Sequence, residues 1–280
     1  MRVISMNRSH RLLIPMCVLL NLGCYHGRRS NLHIVGGEQT DSSSDRRPLA
    51  STVRLRYIGS SPWSPDGDCT GTLIGPRHIV TAAHCLRNTM LPEILSATGA
   101  MSLDGLKATQ HPLWGVSPHV TYDIGVISLS SEVPSAKAGE TPFGLVPVTI
   151  AAPTRLDAGV MVILAGFGDL ERDMPALNRL YQVRTRIARV NHSTREFETE
   201  SGSGKGPCHG DSGGPAYLED PEALLLVGAT SHNQDGNCDS GQATYTDLTR
   251  FQGWLKCTFA AHNNPLESLA NDDSATDCAL

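Results

Sequence analysis

The sequence predicts an all-β protein built from many short strands. Three observations carry the prediction. Gly (27) and Pro (17) recur along the 280 residues, whereas only 5 Phe, 6 Tyr and 3 Trp are present, a composition suited to frequent turns rather than long helices. Short apolar runs at 51–57, 70–74, 78–82, 124–129, 160–165, 224–229 and 243–246 alternate with clusters of Gly, Pro, Asp and Ser, the spacing of a barrel or sandwich. Residues 247–261, near the end, show helical spacing, with apolar Leu248, Phe251, Trp254, Leu255 and Phe259 and with Asp247 or Thr249 near the start.

The composition, 40% hydrophobic and 18% charged, is that of a globular protein able to bury a core. A formal charge of −5, with no basic block longer than Arg28-Arg29 and Arg46-Arg47, leaves no nucleic-acid footprint. At the N-terminus Arg2, Arg8, His10 and Arg11 precede an apolar run at 12–22, the order of an export signal. That run is too short to span a bilayer; a buried N-terminal helix is the alternative. Residues 1–24 therefore read as a signal peptide. Cys24 follows Gly23 and would either carry a lipid, anchoring the protein to a membrane, or lie beside an ordinary cleavage site. Asn21 stands where a lipoprotein signal normally has Leu, so both remain open.

Eight cysteines in an exported chain read as disulfides, and loss of Cys17 and Cys24 with the signal leaves six. Neither Cys-x-x-Cys nor His-Glu-x-x-His occurs, so neither a metal nor another cofactor is expected. Composition changes abruptly at Ile34-Val35-Gly36-Gly37. Residues 25–33 then form a short propeptide, 34–262 the main domain with an inter-barrel linker at about 130–147, and 263–280 a polar, acidic tail expected to be loosely attached.

Three motifs carry chemistry. In Gly210-Asp211-Ser212-Gly213-Gly214-Pro215, Gly on both sides lets the backbone turn sharply, present a hydroxyl and aim backbone N–H groups at one point. Alone it could be a Gly-rich surface turn. Thr81-Ala82-Ala83-His84-Cys85 ends an apolar strand with the imidazole that a serine needs as proton acceptor. Asp123-Ile124-Gly125-Val126-Ile127 puts a carboxylate at the mouth of an apolar strand, where burial demands a partner. Seen alone, such a residue is as readily a turn aspartate.

Taken together, in the order His84, Asp123, Ser212, the motifs resemble the chymotrypsin/trypsin family of serine proteases. Subtilisin-like and α/β-hydrolase triads run in other orders, and no Gly-x-Ser-x-Gly elbow occurs. The resemblance runs from Ile34 to about Cys257 and includes Cys69-Thr70-Gly71-Thr72-Leu73-Ile74, His111-Pro112, Ala165-Gly166-Phe167-Gly168 and Tyr245-Thr246. It implies two six-stranded antiparallel β-barrels followed by a C-terminal helix, with His84 and Asp123 from the first barrel and Ser212 from the second. It also implies a secreted, periplasmic or cell-envelope endopeptidase, monomeric, acting on protein or peptide substrates.

Residue by residue, the resemblance makes Ser212 the nucleophile, His84 the general base and Asp123 the group that orients it. Gly210 and Ser212 would supply the oxyanion hole, and Ser231 would support Asp123. Ile34, freed as a new N-terminus, would pair with Asp211, although His33 stands where Arg or Lys usually precedes the cut. Gly206 occupies the pocket-floor position that holds Asp in trypsin-like members, and Asn233 and Ala243 would line the pocket walls. Small or medium apolar side chains are therefore expected before the scissile bond. His232 departs from the family's usual Trp. The resemblance pairs Cys69 with Cys85 and Cys208 with Cys238; Cys257 with Cys278 follows by elimination alone. A non-catalytic adaptor of the same fold and a zinc hydrolase are the competing readings, the first weakened by the presence of all three triad residues.

Overall fold

The computed structural model describes residues 34–266 except 35, 41–46, 59–66, 87–90, 117–120, 135–144, 169–178, 201–204, 221–222, 234–237 and 239–240. The signal peptide, the propeptide, Cys24, Cys278, most of the proposed linker and residues 267–280 lie outside these.

The described elements, in chain order, are β1 (Glu38–Gln39), α1 (Arg47–Ser51), β2 (Thr52–Tyr57), β3 (Gly67–Gly75), β4 (His78–Thr81), β5 (Glu93–Ser96), β6 (Ser102–Leu103), β7 (Gly105–Gln110) and β8 (Gly125–Leu129), then β9 (Thr149–Ile150), β10 (Met161–Gly166), β11 (Tyr181–Asn191), β12 (Glu196–Thr199), β13 (Pro215–Glu219), β14 (Leu224–His232), β15 (Thr244–Asp247) and α2 (Gln252–Ala261). One sheet runs β6-β5-β2-β3-β4-β8-β7; the other runs β1-β11-β10-β13-β14-β15-β12 with β9 beside β14. Setting aside the two-residue strands β1, β6 and β9, each sheet has six longer strands, as expected. Strand β11 pairs with both β10 and β12, which closes the second sheet into a barrel and removes its free edges.

Every apolar run named from the sequence falls on a strand. Among the strands without a named run, β13 carries a buried apolar Pro-Ala-Tyr-Leu directly after the Gly-rich turn, and β7 and β11 are of mixed pattern. In β11, Tyr-Gln-Val-Arg-Thr-Arg-Ile alternates, so Tyr181, Val183 and Ile187 face inward while Arg184 and Arg186 are exposed. In β7 no side chain is buried, and its register comes from backbone pairing with β8.

Each barrel has its own core: Val53, Leu55, Leu73, Ile79, Ile94 and Ile127 in the first, and Val162, Leu164, Val183, Phe197, Val227 and Tyr245 in the second. A third cluster includes Ile124 and Val126 of the first half, Ile163, Ala165 and Leu226 of the second, and Phe251, Trp254, Leu255 and Phe259 of the terminal helix. Burying such side chains stabilises by about 1.5–3 kcal/mol each, and here it fixes the two halves to one another. The helix starts later than its apolar spacing implies. Asp247 accepts from the Thr249 amide and hydroxyl, capping a single 3-10 turn over Leu248–Arg250 before α2 begins at Gln252.

The loose attachment expected from residue 263 does not hold for its first residues, since Asn264 and Leu266 are buried. His78 Nε2 lies 2.9 Å from the Asn264 carbonyl, and Asn264 Nδ2 donates to the Arg77 carbonyl. Near them His262 bridges Thr109 and Ser128, both at 2.8 Å, while His111 stacks on Tyr122 and packs against Trp254.

Burial, reinforced by Arg195, lowers His111 to about 4, and burial, reinforced by Lys107, lowers His262 to about 4. In an unfolded chain both would titrate near the ordinary 6.5. Above that pH they are neutral in both states and their stabilising contribution is complete. As pH falls from 6.5 towards 4 the unfolded chain binds protons that the folded one refuses, and stability is lost, on the order of 3 kcal/mol per residue. Thermal melts across this interval should show a falling midpoint, with a shallower dependence in His262→Asn whatever that substitution does to the midpoint itself.

Candidate active site

The three sequence motifs converge where the barrels meet. Residue Asp123 ends the segment entering β8 and is buried, 1% exposed, and an isolated charge there would be costly. Its carboxylate is satisfied from both barrels. From the first, His84 donates twice, through its backbone N–H to Oδ1 at 3.0 Å and through Nδ1 to Oδ2 at 2.8 Å. From the second, the Ser231 hydroxyl donates to Oδ2 at 2.6 Å, and Thr246 Oγ1 donates to the Asp123 carbonyl at 2.9 Å. Because a carboxylate only accepts, these bonds place a proton on His84 Nδ1, so that the neutral form of the ring is the tautomer with its lone pair on Nε2.

The imidazole itself is half-buried, its side chain 34% exposed, and Trp114 flanks it at 6.3 Å between ring centroids. Gln110 Nε2 donates to the Ala83 carbonyl at 2.7 Å, bracing the short 3-10 turn Ala83–Cys85 that carries His84. The Cys69–Cys85 disulfide ties this turn to β3.

Opposite, the Gly-rich turn is gripped by Thr70 of β3. Its backbone N–H donates to the Ser212 carbonyl at 2.8 Å, and its hydroxyl donates to the Gly210 carbonyl at 2.9 Å. Gly210 and Gly213 have φ of +95° and +76°, a region that disfavours side chains. A Cβ on Gly213 would lie 2.1 Å from Thr81 Oγ1 and 2.5 Å from the Thr70 carbonyl, so the first barrel approaches as closely as bare backbone permits. Among the described residues neither the Gly210 nor the Ser212 amide donates to a protein acceptor, which leaves both available at the turn. No hydrogen bond joins the Ser212 hydroxyl to His84 among those residues; such bonds are often long without substrate and tighten when it binds.

Asp211 is 1% exposed and accepts from the Gly168 and Cys208 amides at 2.7 and 2.8 Å. Its carboxylate packs so tightly on Gly166 and Gly168 that a Cβ at either would overlap it. Ile34 is likewise buried, among Leu156, Val162 and Tyr181. Gly206 lies against the backbone of Gly241, whose oxygen would be 2.4 Å from an added Cβ. Asn233 Nδ2 donates to the Pro207 carbonyl at 3.2 Å, bridging the end of β14 and the segment after Gly206. Ala243 is fully buried in the second barrel's core, its amide bonded to Thr199.

The Cys208–Cys238 disulfide is formed, and Cys257 is disulfide-bonded; Cys278, its expected partner, lies outside the described residues. Two clusters, Cys69 with His84 and Cys85 and Cys208 with His209 and Cys238, bring three metal-ligating side chains together. In both, the sulfurs are committed to each other and are not thiolate ligands. Thr70, Gln110 and Thr246 acquire structural roles at the site that the sequence did not suggest, although Thr70 and Thr246 sit inside motifs already singled out. Among the described residues no helix is long and apolar enough to cross a membrane.

Comparison with known proteins bears on the family and the fold. A family model described as Trypsin matches residues 34–255. Transmembrane protease serine 11E of Mus musculus is 29% identical over 250 residues, covering 81% of this chain and 55% of that protein, so the chain spans about half of that relative's length. Serine protease SP24D of Anopheles gambiae is 26% identical, with 90% of this chain and 98% of that protein covered. For chymotrypsin-2 of Vespa crabro the identity is 28%, with 80% and 98% covered. Among solved structures, HL collagenase superposes with a TM-score of 0.66 at 19% identity, over 81% of this chain and 99% of the other, a shared fold.

The Ser231 hydroxyl is one of the few donors available to a buried charge. Removing it in Ser231→Ala should destabilise the protein by about 1.5–3 kcal/mol, read as a lower denaturation midpoint at neutral pH.

Proposed function

The chain belongs to the trypsin family of serine-type endopeptidases, and on that premise we propose that it hydrolyses peptide bonds through an acyl-enzyme formed on Ser212. Ser212 Oγ attacks the scissile carbonyl while His84 Nε2 takes its proton and then delivers it to the leaving amine. Asp123 holds the imidazole in the required tautomer and stabilises the imidazolium. The negative oxygen of the tetrahedral intermediate is received by the Gly210 and Ser212 amides, where one donor is worth about 3 kcal/mol. The observation that carries this reading is the convergence on one buried carboxylate of donors from both barrels, with the correctly protonated face of His84 among them.

The substrate's acyl portion adds as a strand along Ser231–Asn233. Its first side chain enters a pocket bounded by Gly206, Asn233 and Ala243, and we infer a preference for small or medium apolar groups. The contact between Gly206 and Gly241 supports this, because a counter-charge for Arg or Lys has no room there without backbone movement.

Export and activation complete the proposal. Residues 1–24 direct secretion or attachment to the cell envelope, in the latter case through a lipid on Cys24. Removal of 25–33 frees Ile34, whose ammonium pairs with Asp211. Breaking a buried pair of that kind costs about 3–5 kcal/mol, enough to disorder the turn that carries the oxyanion donors.

Two measurements test these statements. Cleavage of a mixed peptide library by protein beginning at Ile34 should favour small apolar residues before the cut and should fall about 10⁶-fold in Ser212→Ala, which folds normally but resists covalent serine reagents. Strong Arg or Lys preference would reject the pocket assignment, and retained hydrolysis would reject the nucleophile. N-terminal sequencing of fully active enzyme isolated after natural maturation should begin at Ile34; a different first residue would reject the activation step.

A further inference from the structure

The bonding at Asp123 does not end with Ser231. The Ser231 hydroxyl has one proton, and at 2.6 Å that proton is committed to the Asp123 carboxylate. Its oxygen is therefore free only to accept. His232, on the same strand, places Nδ1 at 3.2 Å from it, so the Nδ1–H tautomer is the one that makes this contact a hydrogen bond. The result is a directed row, from His232 Nδ1–H to Ser231 Oγ–H to Asp123 Oδ2, which meets His84 Nδ1–H arriving from the other side at 2.8 Å. Two imidazoles thus converge on one carboxylate, one directly and one through a hydroxyl. His232 belongs to the segment along which substrate is proposed to pair, yet its described polar contact points inward to the carboxylate.

We propose that His232 is a positioning residue for the reaction, setting the basicity of His84 through Ser231 and Asp123. This rests on the assignment of His84 as general base. A donor behind Ser231 polarises its hydroxyl, strengthens the bond to Asp123 and draws negative charge away from the oxygen that faces His84. The imidazolium of His84 is then less stabilised, and His84 releases its proton at lower pH. Without His232, Asp123 bonds His84 more strongly and the base becomes harder to deprotonate.

The charged groups around His232 agree with a neutral ring near pH 7. Burial holds its titration below the ordinary range; Asp123 opposes this, His84 reinforces it, and Glu198 of β12 opposes it. Glu198 is itself paired with Arg189 and accepts from Gln242. On acidification His232 takes a proton close to His84, and two like charges at one carboxylate disfavour each other. The loss of activity towards low pH is then a joint titration of both rings.

The test compares wild type, His232→Phe and His232→Asn, all beginning at Ile34, by kcat and KM from about pH 5 to pH 9. His232→Asn keeps a side-chain N–H that can reach Ser231 but cannot titrate. In His232→Phe the acid limb of kcat/KM should move up by about 0.5 pH unit. In His232→Asn it should return towards the wild-type position, and the wild-type limb should be steeper than that of either variant. An acid limb identical in shape and position in all three, with only KM changed, would overturn the proposal and leave His232 as part of the subsite wall. Wild type that neither cleaves peptides nor reacts with a serine reagent would instead overturn the assignment of His84 and Ser212, and this inference with it.

Discussion

A buried carboxylate must be surrounded by donors or it will not stay ionised, and the junction of the two barrels is organised around that requirement at Asp123. The donors come from separate parts of the chain: His84 after β4, Ser231 at the end of β14, and Thr246 of β15, which binds the same residue's carbonyl. None of these elements is adjacent to residue 123 in sequence. Only a fold that brings both barrels to one line can satisfy the charge. Conversely, the charge penalises any arrangement in which the barrels are misaligned, so the electrostatics of one side chain and the packing of the interface select the same geometry.

The Gly-rich turn meets the opposite demand. There, among the described residues, the Gly210 and Ser212 amides have no protein acceptor, and a turn with free amides needs support from outside itself. Thr70 provides it by binding the carbonyls of Gly210 and Ser212 and leaving their N–H groups available. The close approach of Gly213 to Thr70 and Thr81 shows how little space separates the barrels. Asp211, held by the Gly168 and Cys208 amides, fixes the turn from behind. Support thus reaches it both from the first barrel, through Thr70, and from the loops of the second.

The terminal segment has a part in this architecture that its composition conceals. Phe251, Trp254 and Phe259 complete the cluster joining both halves, and the chain continues past the helix to bury Asn264 and Leu266. Asn264 is polar and Leu266 isolated, so nothing local marks them as packed. The burial of Asn264 follows from His78 and Arg77, nearly two hundred residues earlier, offering hydrogen-bond partners at that spot, and Leu266 packs into the cluster joining both halves.

Much of the fold was legible because strands buried on both sides leave continuous apolar runs, as at 78–82 and 124–129, and because the terminal segment spaces Leu248, Phe251, Trp254, Leu255 and Phe259 so that all pack into one cluster. Strands β7 and β11 were not, since one gains its place from backbone pairing and the other from alternation that polar neighbours dilute. At the site, the sequence by itself determined which groups are present and how they can react: a serine between glycines, an imidazole, a carboxylate heading an apolar strand. It could not decide which way each proton points. That Asp123 is satisfied from both sides, that Ser231 can only accept from His232, and that Gly206 touches Gly241 depend on contacts between residues far apart in the chain. Hydrogen bonds act over about 3 Å, a distance that sequence separation does not encode and that only the packed barrels establish.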